Sequence, residues 1–249
     1  MVSHFLVLLL SLLLFIGGDA ALFTLQNKCN ITIWPGILSG GGHPLLMNGG
    51  LQLQQNETAQ IKAPTGWSGR FWPRTQCENW SGSWPRTQCN FDTTGKGTCA
   101  TADCGGVLQC NGAGGTPPAS LAEFTLDSPM DFYDVSFVDG FNIPMSVYPS
   151  GGSGNCSNVQ CSSDINLQCP QELQVKTTNG TIIGCKSACL AFNKPEYCCS
   201  EEFNNPNICK PTKYSQYFKT ACPDAYSYPY DDATSTFTCK GADYLISFC

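Results

Sequence analysis

The chain has 249 residues, including 25 Gly, 16 Pro and 17 Cys, with 13 Lys and Arg against 19 Asp and Glu for a net charge of -6. At this length one large domain or two small ones bury a real core, and 42% apolar residues with 14 Phe argue against disorder. The few basic residues are scattered, which speaks against a nucleic-acid partner and against a polybasic membrane surface.

Taken in chain order, residues 1–20 read as a cleaved secretory signal. Phe5 to Ile16 is an apolar run broken only by Ser11, and Gly17-Gly18-Asp19-Ala20 supplies small residues for cleavage. The run is too short to span a bilayer comfortably, although its leading end lacks Lys and Arg. No second apolar stretch follows, so the product is expected to be soluble and exported. Short alternating segments come next: Phe23 to Leu25, Ile31 to Ile33, Leu51 to Gln54 and Phe132 to Val138, then Leu173 to Thr177 and Tyr244 to Phe248. Period-two patterning with β-branched and aromatic residues predicts half-buried strands of a sandwich or barrel. Frequent Gly and Pro exclude long helices over most of the chain. Residues 150–222 differ, carrying nine of the 17 Cys and two short helical patterns, Ser187 to Phe192 and Thr212 to Thr220, the second with Thr212 as N-cap. The expected domains are a signal at 1–20 and a β body over about 21–149 plus 223–249, with a disulfide-rich subdomain over about 150–222.

All 17 Cys lie beyond the signal, as in a protein that oxidises its thiols outside the cytosol. Zinc is disfavoured, because His43 is the only histidine past the signal and no pair of C-x-x-C knuckles occurs; no metal or cofactor is expected. Sequons at Asn30, Asn56, Asn79 and Asn179 fit export and glycosylation, whereas the one at Asn155 precedes Cys156, which is expected to crosslink. The odd cysteine count has a visible source: WSGRFWPRTQC at 67–77 returns as WSGSWPRTQC at 80–89. With one copy removed, 16 Cys make eight bridges, which pairing arithmetic alone leaves open among about two million arrangements. Cys104 with Cys110, or Cys199 with Cys209, would enclose short loops, while the adjacent Cys198 and Cys199 are poorly placed to bond each other. Asp103, inside the cysteine cluster, reads as a turn-capping residue. His43, in the Gly-rich SGGGHPL, reads as a surface loop residue. Trp67, Trp72, Trp80 and Trp84 read as packing residues before they read as a sugar platform.

Residues 95–110, GKGTCATADCGGVLQC, resemble the signature of the thaumatin-like proteins, a plant defence family that includes thaumatin and osmotin. PPASLAEFTL at 117–126, DFYDVSFVDGFNIPM at 131–145, YCC at 197–199 and CPDAYSYPYDD at 222–232 follow in the family's order. The resemblance implies a mainly β fold, a flattened sandwich with a disulfide-rich loop-and-helix second domain and a small third loop domain. It also implies the bridges Cys29–Cys249, Cys89–Cys99, Cys104–Cys110, Cys156–Cys239, Cys161–Cys222, Cys169–Cys185, Cys189–Cys198 and Cys199–Cys209, leaving Cys77 unpaired.

Many family members carry an acidic cleft built from one Arg, one Glu and three Asp. Matched by motif, these are Arg70, Glu123, Asp134, Asp139 and Asp231, with Tyr133, Phe141 and Tyr228 as faces for pyranose rings. Carboxylates sharing a partly desolvated groove repel, so at least one is expected to hold its proton to higher pH. Two across a glycosidic bond are the minimum equipment for hydrolysis, here Glu123 and Asp139. Arg70 keeps a spacing of seven residues to Cys77, whereas the second copy is shorter and offers Ser83; the first copy is therefore expected to form the strand beside the cleft, with 78–89 as an extra loop. The resemblance implies a monomeric apoplastic antifungal protein that binds β-1,3-glucan, with weak endoglucanase activity if enzymatic. The alternative is a non-catalytic protein-binding module, a microbial xylanase inhibitor or a signalling ligand. Membrane insertion ranks lowest, since the negative charge does not suit anionic lipid.

Overall fold

The structure is a computed structural model that describes residues 19–78, 91–127 and 129–249. Residues 1–18 of the signal expected at 1–20, Asn79, Trp80, Ser83, Trp84, Cys89 and the Cys77 side chain lie outside it. Strands run in the order β1 (Asp19–Asn27), β2 (Gly36–Ser39), β3 (Thr58–Pro64), β4 (Ser68–Trp72), β5 (Thr75–Glu78), β6 (Thr98–Thr101), β7 (Leu121–Thr125), β8 (Asp131–Ser136) and β9 (Met145–Ser150). Next come β10 (Gln174–Lys176), β11 (Ile182–Cys185), α1 (Ala188–Phe192), α2 (Pro195–Cys198) and α3 (Lys213–Ala221), then α4 (Asp232–Ser235), β12 (Phe237–Cys239) and β13 (Asp243–Phe248).

Two sheets make the sandwich. One has the order β3-β1-β13-β9, with β1 and β13 parallel, and the other β12-β8-β7-β4-β2. Alternation assigns the faces: Phe71 of β4, Phe124 of β7 and Tyr133 of β8 point inward, against Phe23 of β1 and Tyr244 of β13. Phe23 is the hub, its ring 4.9 Å from Phe71 and 4.7 Å from Phe124. Wide aromatic faces let two sheets meet over large apolar area, the main favourable term here.

Ile31 to Ile33 and Leu51 to Gln54, expected as strands, make instead a single isolated bridge, Ile33 to Leu53. The reason is Asn27. Its buried amide donates to the carbonyls of Ile31, Leu53 and Gln54 and accepts from Cys29 N–H, so a side chain takes the place of a ladder.

The small third layer is the β5–β6 hairpin and the loop that follows it. At its centre lies Arg74, with no exposed surface. Its guanidinium donates to the carbonyls of Trp34, Val107 and Leu108 at 2.8, 2.7 and 2.6 Å, and Phe91 covers it at 5.4 Å. Burial pulls its pKa down to about 10, opposed by Asp103. Asp103 accepts from the N–H groups of Cys99, Gly105 and Gly106, a capping residue as its position implies.

The second domain is loops, short helices and crosslinks. Ser187 caps α1, and Thr212 caps α3 in a reciprocal pair with Ser215. Bridges with both side chains described are Cys29–Cys249, Cys104–Cys110, Cys156–Cys239, Cys161–Cys222, Cys169–Cys185, Cys189–Cys198 and Cys199–Cys209. Cys99 is also crosslinked. The implied Cys89–Cys99 pairing with Cys77 left over meets a contrary register: Cys77 stands directly opposite Cys99 in the β5–β6 ladder. The physical reason is that the first copy of the repeated phrase occupies the sheet. Its Trp67, Phe71, Trp72 and Arg74 are all wholly buried.

Candidate functional site

The outward face of the five-stranded sheet carries the site. Register brings Arg70 of β4 opposite Glu123 of β7, and Glu123 opposite Asp134 of β8, so three charged residues far apart in sequence form one row across three strands. Their strand neighbours Phe71, Phe124 and Val135 face the core, which fixes the row's direction. Arg70 Nη1 approaches Glu123 Oε1 at 3.9 Å, both side chains about a third exposed (35% and 37%). Asp139 arrives on the turn after β8. Gly140 makes that turn at φ +85°, and a Cβ there would fall 2.7 Å from the Cys185 carbonyl, so only glycine lets the turn pack on the second domain.

Two adjoining depressions share Arg70, Glu123 and Asp134. One, of about 320 Å³, is walled by Leu38, Ser39, Ser68, Thr125 and Phe132. The other, of about 380 Å³, is walled by Ser136, Val138, Asp139, Tyr226, Pro229 and Asp232. One end of the groove is therefore apolar and hydroxyl-lined, and the other acidic.

Electrostatics sharpen the contrast. Burial first, then the neighbouring charges of Glu123 and Asp232, push the Asp134 carboxyl well above the usual aspartate range. Burial likewise raises Glu123, with Arg70 pulling down and Asp139 pushing up. Tyr226 Oη donates to Asp232 Oδ1 at 2.8 Å and also pairs with Thr236 Oγ1, so the Thr236 hydroxyl is the donor in that second bond. Burial raises the Tyr226 phenol, and the Asp232 contact raises it further. Among the described residues no three His, Cys, Asp or Glu side chains are grouped to hold a metal ion.

The structure brings together Arg70, Glu123, Asp134 and Asp139, and places the other expected residues elsewhere. Asp231 lines neither depression. It caps the turn from Ser227, accepts from Thr234 and pairs with Lys219 Nζ at 3.1 Å. Its neighbour Asp232 is the acid in the groove. Tyr133 is 1% exposed, packed in the core with its hydroxyl donated to the Ser157 carbonyl. Strand parity forbids Tyr133 and Asp134 from sharing a face, a signal present in the sequence. Phe141 is wholly buried, edge-on to Phe137. Tyr228 lines a separate small cavity beside α3. The aromatic residues outside the core that line the groove are Tyr226 and Phe132. Trp67 and Trp72 are buried, and His43 is a half-buried loop residue.

A crosslinked β-sandwich with a carboxylate groove across the outer face of one sheet, beside a loop-and-helix lobe, is the class of protein these features define. The thaumatin family model matches residues 27–83 and 78–249, and the chain belongs to the thaumatin family. The two matches overlap at 78–83, inside the tandem phrase. The chain is 55% identical over 232 residues to a pathogenesis-related thaumatin-like protein 3.5 of Cryptomeria japonica, covering 93% of this chain and 91% of that one. It is 46% identical over 244 residues to a glucan endo-1,3-beta-glucosidase of Prunus avium, covering 96% and 95%. Among solved structures, a laminaripentaose-producing beta-1,3-glucanase in complex with laminaritetraose matches at TM-score 0.59 with 10% identity, over 91% of this chain and 98% of that one. That likeness is one of fold.

Proposed function

We propose that this is an exported, monomeric plant defence protein whose groove takes β-1,3-glucan of fungal walls and hydrolyses it slowly. The observation that carries the reading is the row of Arg70, Glu123 and Asp134 at the meeting point of two depressions. Two adjoining depressions suit a stretch of polysaccharide, its hydroxyls meeting carboxylates and its apolar ring faces meeting Phe132 and Leu38. The Prunus avium relative named as a glucan endo-1,3-beta-glucosidase supports the same substrate class. Glu123 and Asp139 take the acid and base or nucleophile roles, with Arg70 opposing the rise that burial gives the Glu123 carboxyl. Export rests on the apolar leader and on the crosslinks, which an oxidising compartment sustains. The sequon residues Asn30, Asn56 and Asn179 are exposed, as glycan acceptors must be.

The test is laminarin binding and reducing-sugar release by the purified mature protein. Replacing Glu123→Gln together with Asp139→Asn is expected to weaken binding roughly tenfold, the worth of lost charge-assisted hydrogen bonds, and to abolish release. A double variant that binds and cuts like the parent overturns this reading. Retained antifungal action in that variant would favour a protein-binding surface elsewhere.

A further inference from the structure

The charged row leaves one atom unexplained. Asp134 Oδ1 is buried and meets no donor, whereas buried polar atoms in folded proteins are nearly always partnered. Among the described residues the one other such atom is Asn166 Oδ1, away from the groove, on a residue whose amide already donates to the Asn142 carbonyl.

The groups around Asp134 come from four directions. Glu123 stands beside it on β7, and Arg70 beyond that on β4 turns to Glu123. Asp139 comes from the turn after β8, Tyr226 from the segment before α4, and Asp232 from α4 itself. The Tyr226 hydroxyl is already given to Asp232. No neighbour therefore offers Asp134 a proton to accept, and two carboxylates oppose its ionisation. With its own proton kept, the same side chain changes from an unsatisfied anion into an O–H donor. Its place decides what that donor meets. Asp134 lines both depressions, so any chain that lies along the groove passes over it.

We propose that Asp134 is the neutral hydrogen-bond donor of the groove, giving its O–H to a glucan oxygen where the chain crosses between the two depressions. This rests on the glucan reading above. The three carboxyls then have different roles. Glu123, paired with Arg70, and Asp139 keep the roles given above, and Asp134 donates to the bound chain. Binding weakens as rising pH removes the Asp134 proton.

The experiment measures laminarihexaose affinity by calorimetry from pH 4 to pH 8, with the Asp134 carboxyl followed by carbon NMR in the same buffers. In the parent, affinity is expected to fall roughly tenfold across the Asp134 titration, the value of one hydrogen bond to a charge-sensitive group. Asp134→Asn, which keeps an N–H donor without a titrating proton, is expected to lose the fall in affinity that follows the Asp134 titration, and Asp134→Ala to bind weakly throughout. Parent binding with an Asp134 already ionised at pH 5, or an Asp134→Asn variant that keeps the parent's pH dependence, overturns the inference and leaves the glucan reading intact. Absence of binding at every pH overturns the glucan reading and the inference with it.

Discussion

The outer face of the five-stranded sheet and the segment from Cys161 to Cys222 hold their side chains by different means. In the sheet no bridge joins two strands among the described residues; register and the aromatic core beneath set the row of Arg70, Glu123 and Asp134. Four bridges instead close within the second segment, where helices are short and strands few. A wide core makes covalent ties unnecessary, while a loop-rich lobe needs them to limit its unfolded freedom. The groove lies where the two regimes meet. Its floor is sheet, and one wall is the Tyr226–Asp232 segment, which the second domain holds through Lys219 of α3. That ammonium donates to the Ala225 carbonyl and Ser235 Oγ and pairs with Asp231.

The comparison breaks most visibly at the crosslinks. Removing Cys29–Cys249 by paired Ala substitution is expected to cost about 5 kcal/mol by loop entropy, and removing Cys189–Cys198 about 3 kcal/mol, read by denaturant unfolding. A larger loss from the short loop would mean that the second domain relies on its bridges for more than chain entropy. Peptide mapping of the same unreduced protein is expected to recover Cys77 joined to Cys99.

A middle-sized effect should come from the wall. Lys219→Met leaves Asp231 without its cation and is expected to cost about 2 kcal/mol, less than a broken buried pair usually does because the lysine is partly exposed. Laminari-oligosaccharide affinity should fall with it, since Tyr226 and Asp232 lose their support, and Lys219→Arg should restore affinity. Unchanged affinity in Lys219→Met would show the wall standing without the second domain.

The smallest effect concerns the floor. Asp134 has a raised folded-state pKa, so the native protein keeps a proton that the unfolded chain releases, and stability falls as pH rises from the ordinary value of 3.8 towards the folded one. Asp134→Asn is expected to melt higher than the parent at pH 7, by about 2–4 °C per kcal/mol of relieved repulsion, with the gain vanishing below the ordinary aspartate range.

The strands at Phe23 to Leu25, Phe132 to Val138 and Tyr244 to Phe248 and the two cappable helices are legible in the sequence because period-two alternation and capping residues act locally, whereas Ile31 to Ile33 and Leu51 to Gln54 mislead and the charged row is legible only through the family resemblance. The choice between the tandem copies is legible as well, through the spacing of Arg70 to Cys77; the cysteine that faces Cys99 is not, because the shared phrase makes the two candidates locally alike. Placing Tyr133 in the groove runs against a parity rule that the sequence itself contains. Asp231 and Asp232 are beyond local reading. They are adjacent acids, and only the turn from Ser227 and the reach of Lys219 decide which one caps and which one faces the groove.

The Arg74 pin has a consequence for how the molecule meets acid. Its acceptors are main-chain oxygens and the disulfide sulfur of Cys104, which have no proton to gain, and the guanidinium itself stays charged at any pH below about 10. Sourness that rewrites the charge pattern of the trough leaves these main-chain contacts in place, so the minor lobe keeps its seat while the acidic surface changes character.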